Sequence, residues 1–159
     1  MKYCNYHKIY PCDLSNGEGV RLTIFFSGCI HGCKGCYNTS TWEPTSGVQF
    51  NEETINKLLD DCANHTGLSL SGGDPLHHCN RWTVYELVSR FKQLYPEKDI
   101  WMWTGFTHED IKDEPEVAKI LQHIDVMIDG KYERDLPPRQ DQPWRGSSNQ
   151  RLIKIKEIS

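Results

Sequence analysis

Apolar positions along the chain follow two rhythms in alternation. Arg21–Phe26, reading Arg-Leu-Thr-Ile-Phe-Phe, is short, β-branched and aromatic, which predicts a buried strand. Over 51–65 the period lengthens. Ile55, Leu58, Leu59 and Cys62 recur at helical spacing behind Asn51, a residue type that caps helices. Residues 67–71 predict a second strand. Over 80–95, Val84, Leu87, Val88, Phe91 and Leu94 share one helical face, and Pro96 stands just past its end. Residues 99–103 predict a third strand, 116–123 a short helix, 125–128 a fourth strand and 151–155 a fifth. The stretch 133–143 holds Pro137, Pro138 and Pro143 and reads as an exposed loop.

Strands alternating with helices predict βα units and a mostly parallel sheet, an α/β fold of about five strands. A chain of 159 residues has the size of one domain, spanning 1–159. A complete eightfold barrel takes roughly 200–250 residues, so the expectation is a partial (β/α) barrel or a short open sheet. In either form the functional site lies at the carboxyl ends of the strands. Four clusters fall there. A cysteine loop follows the first predicted strand, Gly72-Gly73-Asp74-Pro75 the second, Thr104-Gly105 the third and Asp129-Gly130-Lys131 the fourth. Turn and capping chemistry accounts for the glycines and aspartates loop by loop. It does not account for three cysteines in one loop.

Composition narrows the function classes. A net charge of −4 provides no basic footprint for nucleic acid. No apolar run approaches the roughly 18–20 residues that span a bilayer, and the opening Met1-Lys2-Tyr3-Cys4-Asn5 has no signal-peptide pattern. The cytoplasm is the expected compartment, with neither nucleic acid nor membrane as partner. There, seven cysteines point to metal binding or reactivity before cross-linking.

Cys29, Cys33 and Cys36 form Cys-x-x-x-Cys-x-x-Cys, interleaved with Gly28, Gly32 and Gly35. Glycine can take positive φ and brings backbone N–H groups close to sulfur, where they stabilise thiolate charge. Three thiolates on a four-iron cluster leave one iron open to a substrate. A structural zinc site needs a fourth ligand; His31, His77, His78, Cys79 and Cys12 are available, none at a paired spacing. A redox dithiol of Cys33 and Cys36 leaves the third cysteine unexplained. Disulfide pairing needs an oxidising compartment. Spacing alone leaves these readings open. Cys62 lies on an apolar helix face and is expected in the core; His77 and His78 precede a helix and are expected to face solvent or cap it. Trp101 and Trp103 share one strand face, as i and i+2 residues do, and are expected to pack.

The cysteine loop after the first strand resembles the signature of the radical S-adenosylmethionine superfamily. Further stretches narrow the resemblance: Cys12-Asp13 with Asn16-Gly17, Ser27-Gly28-Cys29, Gly35-Cys36-Tyr37-Asn38, Ser40-Thr41-Trp42 and Leu70-Ser71-Gly72-Gly73-Asp74-Pro75-Leu76. Asp99-Ile100-Trp101-Met102-Trp103-Thr104-Gly105, Asp129-Gly130-Lys131 and Trp144-Arg145-Gly146-Ser147-Ser148-Asn149-Gln150 complete it, so that it covers about residues 10–151. Together they resemble the glycyl-radical-enzyme activases that serve the anaerobic ribonucleoside-triphosphate reductase. Two departures stand out. Glu18 lies between Gly17 and Gly19 where the family suggests proline, and Trp103 ends the third strand where the related pyruvate formate-lyase activases suggest an acidic residue of a cation site.

The resemblance implies a truncated radical-SAM fold and a radical enzyme. Cys29, Cys33 and Cys36 would ligate a four-iron, four-sulfur (4Fe-4S) cluster, with S-adenosylmethionine on the remaining iron. Gly35, Cys36, Tyr37, Gly72, Gly73, Asp74, Thr104 and Asp129 are the implied S-adenosylmethionine contacts, Gly72-Gly73 through backbone carbonyls facing the methionyl ammonium. The implied partners are the anaerobic reductase, which would lose a hydrogen atom from one glycine, and an electron donor such as a flavodoxin-type protein. A radical enzyme acting on a small molecule and a non-catalytic metal-binding interaction module stand as alternatives.

Overall fold

The computed structural model describes residues 3–36 and 39–158. β1 (Asn5–Asp13) and β2 (Arg21–Phe26) precede the cysteine loop, and the two-residue β3 (Val48–Gln49) follows it. Then come α1 (Glu52–Asp61), β4 (Gly67–Gly72), α2 (Arg81–Leu94) and β5 (Asp99–Trp103). The short α3 (His108–Ile111) and α4 (Pro115–Leu121), then β6 (Val126–Asp129) and β7 (Arg151–Lys154), complete the order. The strands form one sheet, β3-β1-β2-β4-β5-β6-β7, with β3 and β7 as its edges. The central four, β2, β4, β5 and β6, are parallel, and β1, β3 and β7 are added antiparallel.

The expectation of about five strands is therefore corrected to seven among the described residues. β1 escaped the sequence pattern because none of its apolar residues is fully buried, and its register shifts around Pro11. It contributes only partly buried residues such as Tyr6 and Ile9 to the core. β3 is too short to carry a period. The helix expected over 51–65 ends at Asp61 and continues as a 3₁₀ turn, Cys62–Asn64. Asn51 does cap it, accepting from the Thr54 N–H at 2.8 Å.

Alternation along the strands builds two layers. Leu22, Ile24 and Phe26 of β2, Leu68 and Leu70 of β4, and Ile100 and Met102 of β5 are fully buried in one cluster with Leu58, Leu59 and Cys62 and with Val84, Leu87 and Phe91 of α2. The opposite face carries Arg21, Ser69 and Trp101. The Arg21 guanidinium, wholly buried, donates to Ser69 Oγ (2.7 Å), to the Glu18 carbonyl (2.9 Å) and to the Leu68 and Asp99 carbonyls, and lies 5.5 Å from the Trp101 ring. The 16–19 turn is thus tied down through Arg21 without the proline that the family pattern suggests. Trp101 and Trp103 stack at 5.9 Å, and Trp144 meets Trp101 edge-on at 5.8 Å.

Asp125, just before β6, anchors the far end of the sheet. Its carboxylate accepts from Lys92 Nζ (2.8 Å), Lys156 Nζ (2.9 Å) and the Ile100 N–H (2.8 Å). Burial alone raises its pKa, but these donors outweigh burial and hold it below the ordinary carboxylate value. A folded pKa below the unfolded one gives stability that is complete above about pH 4 and lost as pH falls through the lower folded value. Asp125→Asn is expected to flatten the acid limb of stability, read as urea midpoints between about pH 5 and pH 3. An unchanged slope would refute this role.

Candidate metal and cofactor site

The loops after β2, β4, β5 and β6 meet at the carboxyl edge of the parallel strands, around a cavity of about 170 Å³. Cys29, Cys33 and Cys36 line it together with Gly72, Gly73 and Thr104. Tyr132, Gly146 and Gln150 form a further wall. No disulfide joins the three cysteines. Cys4, Cys12, Cys62 and Cys79 do not line this cavity, and Cys62 is fully buried in the core. Among the described residues no three His, Cys, Asp or Glu side chains converge tightly enough to hold a single metal ion. An iron–sulfur cluster makes a different demand: one thiolate per iron, at separate corners, which three thiols around one cavity can meet.

Burial pushes the Cys29 thiol up to about 11, and burial likewise raises Cys33. The His31 N–H beside Cys29 and the Tyr132 N–H beside Cys33 work in the other direction, favouring thiolate. Burial thus favours the protonated thiol at both positions, and the charge of a bound metal would favour the thiolate. The loop follows β2 through close backbone ties: the Gly28 N–H donates to the Thr41 carbonyl (2.6 Å) and the Cys29 N–H to the Trp42 carbonyl (3.0 Å).

The glycine edge of β4 sits directly against this loop. Gly72 has φ of +111°, and a Cβ there would lie 2.2 Å from the Phe26 nitrogen. At Gly73 a Cβ would lie 2.5 Å from the Gly28 carbonyl oxygen, so only glycine fits between the strands. The Gly73 N–H donates to the Phe26 carbonyl (2.9 Å) and the Asp74 N–H to the Gly28 carbonyl (2.7 Å).

The Asp74 carboxylate, 1% exposed, does not line the cavity and is saturated by donors. The Leu76 and Gly105 N–H groups each reach it at 2.9 Å, as does the Thr104 hydroxyl, and His31 Nε2 reaches it at 2.6 Å. Thr104 therefore lines the cavity with its hydroxyl proton already committed, and it also accepts from the Phe106 N–H (3.2 Å). Asp129 is likewise 1% exposed. It takes the His108 N–H (2.8 Å) and the Arg151 Nε (3.0 Å) and Nη2 (2.5 Å), and its neighbour Gly130 lines the cavity instead. Gly35, with φ of +77°, packs under Arg134. Tyr37 lies outside the described residues.

Sequence reasoning missed three parts of this wall. His31 was visible only as a spare metal ligand, but its Nε2 is spent on Asp74. Gln150 clamps the wall: its side-chain oxygen accepts from the Gly146 (2.7 Å) and Ser147 (3.2 Å) N–H groups, and its amide donates to the Gly130 carbonyl (2.9 Å). Trp103 donates from Nε1 to the Trp144 carbonyl (2.8 Å). Trp144 has φ of +70°, a conformation costly for a non-glycine residue and held here by its neighbours. The Trp-Arg-Gly-Ser stretch was the available signal, since so many turn-forming and polar residues together suggest a built loop. His77 lies over Gly28, and His78 and Cys79 stay outside the cavity.

Comparison with known proteins agrees with this geometry. Residues 15–153 match the family model described as a 4Fe-4S single cluster domain. The chain is 49% identical over 150 residues to the anaerobic ribonucleoside-triphosphate reductase-activating protein of Enterobacteria phage T4, covering 93% of this chain and 92% of that protein. The protein of the same name from Vibrio cholerae serotype O1 is 46% identical over 151 residues, covering 92% and 95%, and that of Escherichia coli K12 is 45% identical over 150 residues, covering 92% and 96%. Coverage this complete, with a 4Fe-4S model spanning the cysteine loop and the glycine edge alike, places the chain in the family of anaerobic ribonucleoside-triphosphate reductase-activating proteins.

Proposed function

We propose that this chain activates an anaerobic ribonucleoside-triphosphate reductase by radical chemistry, with Cys29, Cys33 and Cys36 holding three irons of a 4Fe-4S cluster and S-adenosylmethionine on the fourth. When bound and reduced, such a cluster would supply the electron that divides S-adenosylmethionine into methionine and a 5′-deoxyadenosyl radical; that radical would take a Cα hydrogen from one glycine of the reductase, giving 5′-deoxyadenosine and a glycyl radical. A flavodoxin-type protein is the expected electron donor. On this reading the sheet is a partial (β/α) barrel of the radical-SAM type, and 1–159 form one domain.

The observation that carries the reading is the meeting of three cysteines and a bare glycine edge at one cavity. Gly72 and Gly73 bring main chain to the cavity wall without side chains, which suits an amino-acid ammonium seeking carbonyl acceptors. Asp74, which follows Gly73, is tied to Thr104 across the neighbouring loop. Asp129 holds Arg151, beside the wall residue Gln150. Trp103 and Tyr132 add aromatic surface that limits water at the site of a radical. Gly35, Cys36 and Tyr37 are further proposed contacts of the same ligand.

Anaerobic reconstitution tests the cofactor part. About four irons per chain are expected, and one-electron reduction with S-adenosylmethionine is expected to yield methionine and 5′-deoxyadenosine. Stoichiometric zinc with no cleavage would overturn the reading.

A further inference from the structure

One buried contact spans the two halves of the site and has no part in the chemistry proposed above. His31 lies between Cys29 and Cys33, and its Nε2 sits 2.6 Å from Asp74 Oδ2, with the two side chains 5% and 1% exposed. Asp74 already accepts from Leu76, Thr104 and Gly105. A carboxylate serving that many donors acts as an acceptor, so the imidazole donates and Nε2 carries the hydrogen. The ring is fixed on two further sides. Phe106 meets it edge-on, centroids 4.6 Å apart, and Gly105 provides the room it occupies, since a Cβ there would lie 2.4 Å from the imidazole.

Asp74 thereby grips the cysteine loop twice. Its N–H donates to the carbonyl of Gly28, one residue before Cys29, and its carboxylate takes His31, two residues after. Cys29 is bracketed by two ties to the residue that follows Gly72-Gly73. We infer that His31 is a positioning residue for S-adenosylmethionine: through Asp74 it fixes the separation between the thiols and the glycine edge, the two surfaces that must grip one ligand together. This rests on the functional reading above. Binding groups misplaced by about 1 Å can cost on the order of a hundredfold, so the contact has leverage although it touches no ligand.

The test uses the full chain with His31→Ala and His31→Gln, the latter retaining a side-chain N–H able to reach Asp74. In iron-free protein, trypsin is expected to cut at exposed Lys34 faster in H31A than in the unsubstituted chain, with H31Q between them. In reconstituted protein, H31A is expected to keep its iron, to bind S-adenosylmethionine about tenfold or more weaker, and to show a blunted change in the reduced cluster's paramagnetic resonance when the ligand is added. H31Q is expected to recover most of the affinity and of the spectral change. The inference is overturned if H31A binds with unchanged affinity and the full spectral change, or if H31Q is no better than H31A. Should H31A not hold iron, H31Q decides: near-normal affinity supports the inference, and loss of affinity overturns it. Failure of the unsubstituted chain to bind S-adenosylmethionine overturns the functional reading and this inference with it; a normal parent with an indifferent H31A overturns this inference alone.

Discussion

Alanine at Cys29, Cys33 or Cys36 is expected to reduce S-adenosylmethionine cleavage to background while leaving a folded chain. The two halves of that expectation have separate physical grounds. None of the three cysteines belongs to the hydrophobic core, and each is only half-buried. Their loss from the iron-free protein therefore costs little, within about 0.5 kcal/mol for positions of this kind. The cluster is another matter. A ligand set of three leaves no reserve, because no other cysteine or histidine among the described residues faces the cavity except His31, whose Nε2 is held by Asp74. The substituted proteins should also lose the stabilisation that cluster binding confers, so their melting temperatures should not rise on reconstitution, unlike the parent's. Cys12→Ala, at an exposed cysteine away from the cavity, should keep iron and activity. Iron analysis, product chromatography and thermal melts check the set; full activity in any of the three would refute that residue as a ligand.

Gly73→Val is expected to damage both cofactors at once. From sequence alone, the glycine would be expected to serve S-adenosylmethionine only, so that its loss would spare the iron. The structure changes that expectation. A Cβ at Gly73 meets the Gly28 carbonyl oxygen at 2.5 Å, and the Gly28 carbonyl carbon and Thr41 oxygen at 2.9 Å. All three are backbone atoms and cannot swing aside, and Gly28 immediately precedes Cys29. Relief requires the glycine edge and the cysteine loop to part, an overpacking cost of about 1–3 kcal/mol. The variant should melt earlier, bind S-adenosylmethionine at least about tenfold weaker and retain less iron than the parent. Calorimetry and iron analysis on the same preparation measure this. Normal iron with weak ligand binding would return Gly73 to a purely ligand-facing role.

These cases show what the sequence made legible. β2, β4 and β5 were readable because each is a short run that turns an apolar residue to one buried face at every second position, with Arg21, Ser69 and Trp101 on the other face. α1 and α2 were readable for the same reason at helical period. β1 was not, because a strand next to the edge of a sheet needs little apolar surface. In the site, the meeting of the three cysteines with Gly72-Gly73 was legible because a parallel sheet brings the loops after its strands to one edge; spacing alone left open what they bind. The resemblance implied Asp74, Thr104 and Asp129 as ligand contacts; their hydrogen bonds within the chain were not legible. Their actual engagements depend on partners far along the chain: Thr104 on Asp74, Arg151 on Asp129, His31 on Asp74. A one-dimensional pattern does not encode which distant donor a carboxylate will find. Gln150, which clamps the wall formed after β6, was hidden for the same reason.

The central claim is that this chain places a radical on a partner protein. Its most direct test combines the reconstituted protein, a one-electron reductant and S-adenosylmethionine with the anaerobic ribonucleoside-triphosphate reductase under strict exclusion of oxygen, followed by electron paramagnetic resonance of the reductase. The account predicts a glycyl-radical doublet that requires all components and disappears with the Cys33→Ala chain. Cleavage of S-adenosylmethionine without any glycyl signal, reproduced with an active preparation of the reductase, would contradict it.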